Sequence, residues 1–324
     1  ERAAIVRARP TTGPGPPSSA GAGADRNGAE APLQQIRQQR RVPLVTGRNT
    51  ITLTVEDDDG QSSVFTWQIT RVEETGQTFL VSIGIDEYDV YSDLPFAATD
   101  ARAVHETFTT TGGVDPDNAR VLIGAEANQR GVLEALDWLR ERAVRPYDTV
   151  LLYYSGHGMR DGEDYYLVPQ DATESLRVSG IDVEDLQDFW DEIGAGRKVF
   201  IADSCHAEGL RLRDGNREHA DFRAAFTGRG KAMLLAASEN QTAIEATADG
   251  HGLFTRFLLM ALRGETHNGI DPDADSNGEI TLQEAADFLQ QTVSADARRR
   301  FNKDQTPYLE LGGDAALPLT RPTR

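Results

Sequence analysis

Cysteine is nearly absent from this chain, since Cys205 is the single cysteine among 324 residues. One cysteine cannot form an intramolecular disulfide, so a fold held by disulfides is excluded. The cysteine content says little about the redox compartment. The one thiol that remains must be judged by its position in the chain.

Basic residues are outnumbered by acidic ones. The chain has 33 Lys and Arg against 52 Asp and Glu, which gives a formal net charge of −19. Non-specific binding of nucleic acid and docking on anionic lipid both need clustered Lys and Arg, so neither is expected. An acidic surface attracts basic partners or simply supports solubility, and composition does not decide between the two.

Long apolar runs are also missing, because no stretch approaches the roughly 18 residues of a membrane-spanning helix. We therefore expect no membrane span in this chain. A hydrophobic content of 39% still suffices for a globular core, and the length allows one large α/β domain with a smaller unit. The chain begins at Glu1 without a visible signal peptide, which is typical of a fragment or a processed form.

The N-terminal part divides into two segments. Residues 1–43 are rich in Pro, Gly, Ala, Ser and Arg, a composition that predicts a linker or disorder. Residues 44–75 contain two alternating runs around an Asp-Gly turn, which predicts a β-hairpin. An isolated hairpin is marginally stable. This one resembles the last two strands of the immunoglobulin-like modules of bacterial surface proteins, or it is a β-extension of the main domain, and both interpretations stay open.

Residues 76–316 alternate buried strands with amphipathic helices. This pattern predicts an α/β fold with a mainly parallel central sheet covered by helices on both faces. Residues 317–324 are expected to be a tail. The predicted strands include 79–85, 119–123, 149–154, 198–204 and 233–237, with 307–311 closing the sheet, and the predicted helices include 97–111, 128–142, 183–193, 253–262 and 282–293.

Two of the predicted strands end in reactive side chains, His157 after one and Cys205 after the other. Open α/β sheets build active sites at the carboxyl ends of their strands. A thiolate needs a partner that accepts its proton, so we predict Cys205 as a nucleophile and His157 as its base. The amides of Gly158 and Cys205 are candidates for an oxyanion hole. The alternative is a buried core cysteine and an ordinary loop histidine.

At these residues the sequence resembles the caspase-like cysteine peptidases, in particular their bacterial members and the metacaspases. The resemblance covers about residues 76–315 and implies their fold, with a His157–Cys205 dyad that hydrolyses peptide bonds through a thioester. The segments that carry it are 153–158 and 203–209, with weaker support from 81–88, 94–101, 251–255 and 305–307.

The resemblance to metacaspases also implies a specificity. Their pocket for the residue preceding the cut is acidic and accepts Arg or Lys, and the matching positions here are Asp100, Ser155 and Asp203. Carboxylates in a pocket select a cation by pairing and by rejecting anions. The alternatives are a capping role for Asp203 and a helix N-terminal charge for Asp100. Because Arg102 lies two residues from Asp100, a pocket specific for aspartate is a further alternative.

The residues after Cys205 carry two further expectations. His206 would point away from the cysteine at a strand end, so we interpret it as structural. Residues 209–231 are predicted to be a long loop whose Arg and Lys residues match the expected specificity. The loop is therefore either a site of self-processing or an exposed basic segment.

Residues 273–284 have the spacing of an EF-hand loop, with oxygen donors at positions one, three and five, glycine at six and glutamate at twelve. The helix that should precede the loop ends too early for a regular paired EF-hand. The alternative is an acidic turn that caps the next helix. Metacaspases are often activated by calcium at a different acidic site near their catalytic loops. The segment after His157, residues 159–165, is short, and that site cannot be located in it. Calcium at residues 273–284 is therefore either structural or activating. The predicted Ca²⁺ ligands are the side chains of Asp273, Asp275, Asn277 and Glu284, the carbonyl of Glu279, and Thr281 through water.

The sequence therefore predicts a caspase-like cysteine endopeptidase that cuts protein or peptide substrates after Arg or Lys. A peptidase of the same fold with another specificity is one alternative. A non-catalytic, calcium-binding interaction module is the other. Surface-module resemblance and calcium favour export, while the compartment and the oligomeric state are left open.

Overall fold

The chain divides into two units, Glu1–Glu74 and Thr75–Arg324, and each is described by itself. The structure is a computed structural model, which gives residues 3–8 and 246 by their backbone alone. Most of the segment predicted as a linker lies outside the described part of the chain. The described residues are 3–8, 42, 44–45, 47–56, 60–71, 75–162, 164–204, 230–238, 241, 243–246, 249–312 and 317–322.

The first unit contains a three-stranded sheet. Strand β2 (Gly47–Glu56) pairs antiparallel with β3 (Ser62–Arg71), which confirms the predicted hairpin. Strand β1 (Ala3–Ala8) pairs in parallel with β2, so this part of the expected linker is extended and hydrogen-bonded. On β3 the rings of Phe65 and Trp67 stack with centroids 6.3 Å apart, because residues two apart share a face of a strand.

The second unit alternates strands and helices along most of its length. Its strands are β4 (Thr78–Gly84), β5 (Ala119–Ile123), β6 (Thr149–Gly156), β7 (Gly158–Asp161), β8 (Asp164–Leu167), β9 (Ile181–Asp182), β10 (Arg197–Ser204), β11 (Lys231–Leu235), β12 (Glu245–Ala246), β13 (His251–Gly252), β14 (Ile280–Thr281), β15 (Tyr308–Leu311) and β16 (Pro318–Thr320). Its helices are α1 (Ala97–Thr110), α2 (Gln129–Arg142), α3 (Leu176–Ser179), α4 (Val183–Glu192), α5 (Leu253–Leu262) and α6 (Leu282–Asp296), with a π-helical turn over Ala297–Phe301.

Six strands form the central sheet, in the order β15-β11-β10-β6-β4-β5. Every neighbouring pair is parallel except the edge pair β11 and β15. All eight residues of β6 are buried, because helices cover both faces of a parallel sheet and leave no solvent side for polar residues. The predicted mainly parallel sheet is confirmed, and residues 308–311 do close it.

The helices cover the sheet from both sides. Helix α1 connects β4 to β5, and α2 leads back from β5 to β6, so right-handed crossovers in opposite directions place them on opposite faces. Helix α1 packs on β4, β5 and β6 and against α5, which packs against α6, whereas α2 packs on β4 and against α4. This arrangement brings the first turns of α1 and α5 to the edge of the sheet where β4, β6 and β10 end.

The C-terminal segment forms a further strand. Residues 317–324, expected as a tail, include strand β16, which pairs antiparallel with β14. Leu317 and Leu319 are buried, so the alternating apolar residues give this segment a face that packs on the domain.

No helix in the part of the chain that the structure describes is long and apolar enough to span a membrane.

Candidate active site

Strands β6 and β10 lie side by side and end together. Their parallel register places Ser155 opposite Asp203 and Gly156 opposite Ser204. His157 comes directly after the first strand, and in the sequence Cys205 comes directly after the second. Residues 205–229 lie outside the described part of the chain, and with them the predicted nucleophile, its amide, His206 and most of the predicted processing loop.

The His157 side chain is held in one orientation. It is 6% exposed, and its Nε2 lies 2.7 Å from the carbonyl oxygen of Ser92. A carbonyl only accepts hydrogen bonds, so Nε2 carries the proton in this arrangement and Nδ1 carries the lone pair of the neutral ring. The imidazole can therefore accept a proton at Nδ1.

The backbone of His157 is held as well. Its amide donates to the Tyr88 hydroxyl at 2.9 Å, and its carbonyl accepts from the Tyr154 hydroxyl at 2.7 Å and from the Val168 amide at 3.0 Å. The Tyr88 ring also lies against the imidazole, with centroids 4.8 Å apart. Both the ring and the main chain of His157 are thus fixed by buried tyrosines.

The glycines that flank His157 are required by close packing. A Cβ atom on Gly158 would lie 1.9 Å from the Tyr165 hydroxyl, and one on Gly156 would lie 2.7 Å from the Tyr154 hydroxyl. Burial raises the pKa of Tyr165 to about 12, so its phenol keeps its proton at neutral pH. These two positions exclude any larger side chain.

The predicted pocket residues come together at the same edge of the sheet. Asp100 lies in the first turn of α1, and Ser155 and Asp203 face each other across β6 and β10. All three are buried. A Cβ atom on Gly252 would lie 2.9 Å from Oδ2 of Asp203 and 3.1 Å from Oδ2 of Asp100, so both carboxyl groups converge on this glycine.

Hydrogen bonds hold the two carboxyl groups against the start of α5. Asp100 accepts from Nδ1 of His251 at 2.5 Å and from the Gly252 amide at 3.0 Å. Asp203 accepts from the Thr255 hydroxyl at 2.6 Å and from its amide at 3.3 Å. A helix N-terminus favours negative charge. The capping role considered for Asp203 is therefore present in the geometry. The same residue forms, together with Asp100, the acidic cluster at this edge of the sheet.

The two acids differ in how readily they ionise. Burial, together with the charge of Asp100, raises the pKa of Asp203 to about 8. Burial also raises the pKa of Asp100, but the hydrogen bonds from His251 and Gly252 oppose that rise. At neutral pH Asp203 is therefore mainly protonated, while the hydrogen bonds from His251 and Gly252 favour the ionised form of Asp100.

A family model described as Caspase domain (Peptidase_C14) matches residues 77–312. The chain belongs to the caspase-domain family. Members of this family are cysteine peptidases, and the resemblance noted in the sequence is confirmed at this level.

Two solved structures share the fold of the caspase domain. One is the protein GSU0716 of Geobacter sulfurreducens, 17% identical with a TM-score of 0.51 over 76% of this chain and 100% of that chain. The other is caspase-1 of Spodoptera frugiperda, 14% identical with a TM-score of 0.52 over 77% and 92% of the two chains. The caspase-like fold is thereby confirmed.

A curated relative has no assigned activity. The uncharacterized protein y4kE of Sinorhizobium fredii is 26% identical over 212 residues, which are 56% of this chain and 54% of that protein. The match thus spans about half the length of each protein.

Several residues at the site of the caspase domain were not predicted from the sequence. Tyr88, His251 and Thr255 lie in segments that carry the resemblance, but no pattern marked them individually. Ser92 acts through its carbonyl oxygen, which no side-chain pattern can reveal. Arg102, considered for a pocket specific for aspartate, is exposed on α1 while Asp100 is buried.

Residues 273–284, called the acidic loop below, bring their carboxylates together. One oxygen each from Asp273, Asp275 and Glu284 lie within 4.8 Å of one another. Gly278, at loop position six, has a φ of +84°, which glycine adopts without strain. All the predicted donors are oxygens, the ligand type that Ca²⁺ prefers, so the donor set fits this cation.

Oxygen atoms predicted to bind the metal also accept hydrogen bonds within the loop. The Asn277 side-chain oxygen accepts from the Glu279 amide at 2.7 Å. Glu284 accepts from the amide and hydroxyl of Thr281, at 3.0 and 2.7 Å, in a capping box at the start of α6. The capping alternative is therefore also seen in the geometry, and Ile280 in the middle of the loop pairs with Thr320 of β16.

The raised pKa of Asp203 predicts a pH-dependent stability. Because the folded state binds this proton up to about pH 8 and the unfolded chain releases it near pH 4, the stabilisation from the protonated group is lost as pH rises through about 8. Between pH 6 and 9 the free energy of unfolding should fall by about 3 kcal/mol more in the wild type than in Asp203→Asn, since the difference in bound protons spans about two pH units. Thermal melting across this range measures it, with exposed Asp117→Asn as the control. Parallel pH profiles for wild type and Asp203→Asn would show that Asp203 is not the group responsible.

Proposed function

We propose that the caspase domain is a cysteine endopeptidase that cleaves after Arg or Lys, with Cys205 as nucleophile and His157 as base. The observation that carries this proposal is the pairing of Gly156 with Ser204, the residues that directly precede His157 and Cys205. Because parallel neighbours end at the same edge of a sheet, the residue after each strand reaches that edge, where α/β enzymes bind their substrates.

The proposed reaction uses groups of the chain and one water. Nδ1 of His157 accepts the thiol proton, and the thiolate of Cys205 attacks the scissile carbonyl to form a carbon–sulfur bond. The imidazolium then protonates the leaving amine as the peptide C–N bond breaks, which leaves a thioester. Water attacks the thioester while His157 takes its proton, and the acid product leaves as the thiol is restored. The amides of Gly158 and Cys205 are the proposed donors to the oxyanion.

The charge of the acidic cluster supports the specificity. Asp100 and Asp203 are buried, and among the residues that the structure describes no Lys or Arg side chain forms an ion pair with either. Buried carboxyl groups that have no Lys or Arg partner among the described residues favour a ligand that brings such a cation. A substrate Arg or Lys side chain does so, whereas a substrate Asp would place a further negative group beside the ionised Asp100 and the buried Asp203.

Reporter peptides test the activity and its specificity. The wild type should hydrolyse peptides after Arg or Lys at least about 100-fold faster than after Asp, because the pocket repels an anion. Cys205→Ala should show no turnover, and Asp100→Asn should raise KM for the Arg peptide. Arg102→Ala is the matched control on the same helix and should keep wild-type kinetics. Preference for the Asp peptide would contradict the pocket, and no turnover of any peptide with calcium present would indicate a binding module.

We also propose that the enzyme cuts itself within residues 209–231. The Arg and Lys residues of this segment match the proposed specificity, and the segment comes soon after the nucleophile in the chain. Intact mass after incubation should show fragments ending in Arg or Lys for the wild type and none for Cys205→Ala. The same fragments in both preparations would instead indicate a contaminating peptidase.

The acidic loop is proposed to bind Ca²⁺ as a structural ion. Binding to the folded state alone should raise the free energy of unfolding by about 2.7 kcal/mol when calcium is at about 100 times its Kd. The melting temperature should rise with it. Asp275→Asn should lose this effect, while Asp287→Asn, an exposed acid on the helix after the loop, should keep it. Reporter hydrolysis well below the melting temperature should not change with calcium. Activity that rises with the calcium titration would show that the ion activates the enzyme.

A further inference from the structure

His251 occupies a place in the acidic cluster that the proposed chemistry does not use. Its side chain is 26% exposed, whereas its partner Asp100 is 2% exposed. Nδ1 of His251 binds Oδ1 of Asp100, and the amide of the next residue, Gly252, binds Oδ2. Two consecutive residues thus hold both oxygens of one buried carboxylate, which fixes the plane of that group.

The segment that carries His251 is itself braced. Strand β13 pairs with β12, with His251 opposite Ala246. The preceding Asp249 forms ion pairs with Arg256 of α5 and with Arg300 of the π-helical turn after α6. Gly252 leaves no room for a side chain between the two carboxyl groups. The main chain at His251 is therefore fixed against Asp100.

Other acidic groups lie near the hydrogen bond between His251 and Asp100. Asp203 of β10 lies close to Asp100, Glu245 of β12 adds negative charge near Asp203, and the Tyr153 hydroxyl of β6 hydrogen-bonds the Thr255 hydroxyl that binds Asp203. Two acids this close do not both ionise readily. The one with the better donors keeps its charge, and Asp100 has an imidazole and an amide.

We propose that His251 is a positioning residue of the substrate pocket, whose Nδ1–H keeps Asp100 ionised and fixed in orientation and thereby sets the affinity for a cationic side chain. This inference rests on the proposed role of Asp100 and Asp203 as pocket acids. His251 itself does not touch the reacting atoms.

Binding without turnover tests the proposal. Acetyl-arginine amide is titrated into the Cys205→Ala protein, and the same titration is made with a second substitution at residue 251. His251→Leu removes the donor and should weaken binding at least about tenfold, the usual effect of losing a hydrogen bond to a charged group. His251→Asn offers an amide N–H near the position of Nδ1 and should bind within about threefold of the parent. His105→Leu, a partly buried histidine on the helix that carries Asp100, is the control and should bind as the parent does.

Kinetics in the protein that retains Cys205 give the second readout. His251→Leu should raise KM for the Arg peptide at least about tenfold while kcat changes less than about threefold, because the lost contact acts on binding. Should His251→Leu not fold, His251→Ser, too short to reach Asp100, takes its place in both experiments.

The outcomes separate the two proposals. Wild-type affinity in His251→Leu, or equal losses in the Leu and Asn variants, would overturn the role of His251 and leave the pocket standing. Failure of the Cys205→Ala parent itself to bind acetyl-arginine amide would overturn the acidic pocket, and the role of His251 with it.

Discussion

The register between β6 and β10 is the constraint on which the rest of the site depends. Because the two strands run parallel and pair over eight residues, Ser155 lies opposite Asp203 and Gly156 opposite Ser204. The residues immediately after these pairs are those with reactive side chains. A shift of one residue would turn every side chain of one strand to the other face of the sheet. The sheet thus sets the positions of His157, of Ser204 directly before the proposed nucleophile, and of one wall of the acidic cluster.

The acidic cluster combines structural and functional demands in the same residues. Asp203 binds the first turn of α5, and Asp100 binds Gly252, the residue directly before that helix. These contacts stabilise the helix N-terminus and at the same time hold two carboxyl groups close together in a buried place. That arrangement is costly for the folded state above the pKa of Asp203. A substrate cation offsets the cost, which is the physical basis of the proposed specificity.

Local patterns in the sequence identified most of the elements, and tertiary contacts account for those that were not predicted. The apolar period of α5 gave its bounds of residues 253 and 262, and the buried run of β6 marked a central strand. Strand β16 was not expected, because three residues with one alternation carry too little signal without their partner β14. The contact between His251 and Asp100 joins residues 151 positions apart, and the Ser92 carbonyl has no signature in the side-chain pattern.

The central claim is that His157 activates Cys205, and the single cysteine makes this directly measurable. The rate of alkylation by iodoacetamide reports the thiolate of that one residue, and it can be measured against pH in the wild type and in His157→Ala. We predict that the wild type reacts with a thiolate formed below about pH 7, while His157→Ala shows the ordinary inflection near about pH 8.5. The same inflection in both proteins would contradict the activation of Cys205 by His157.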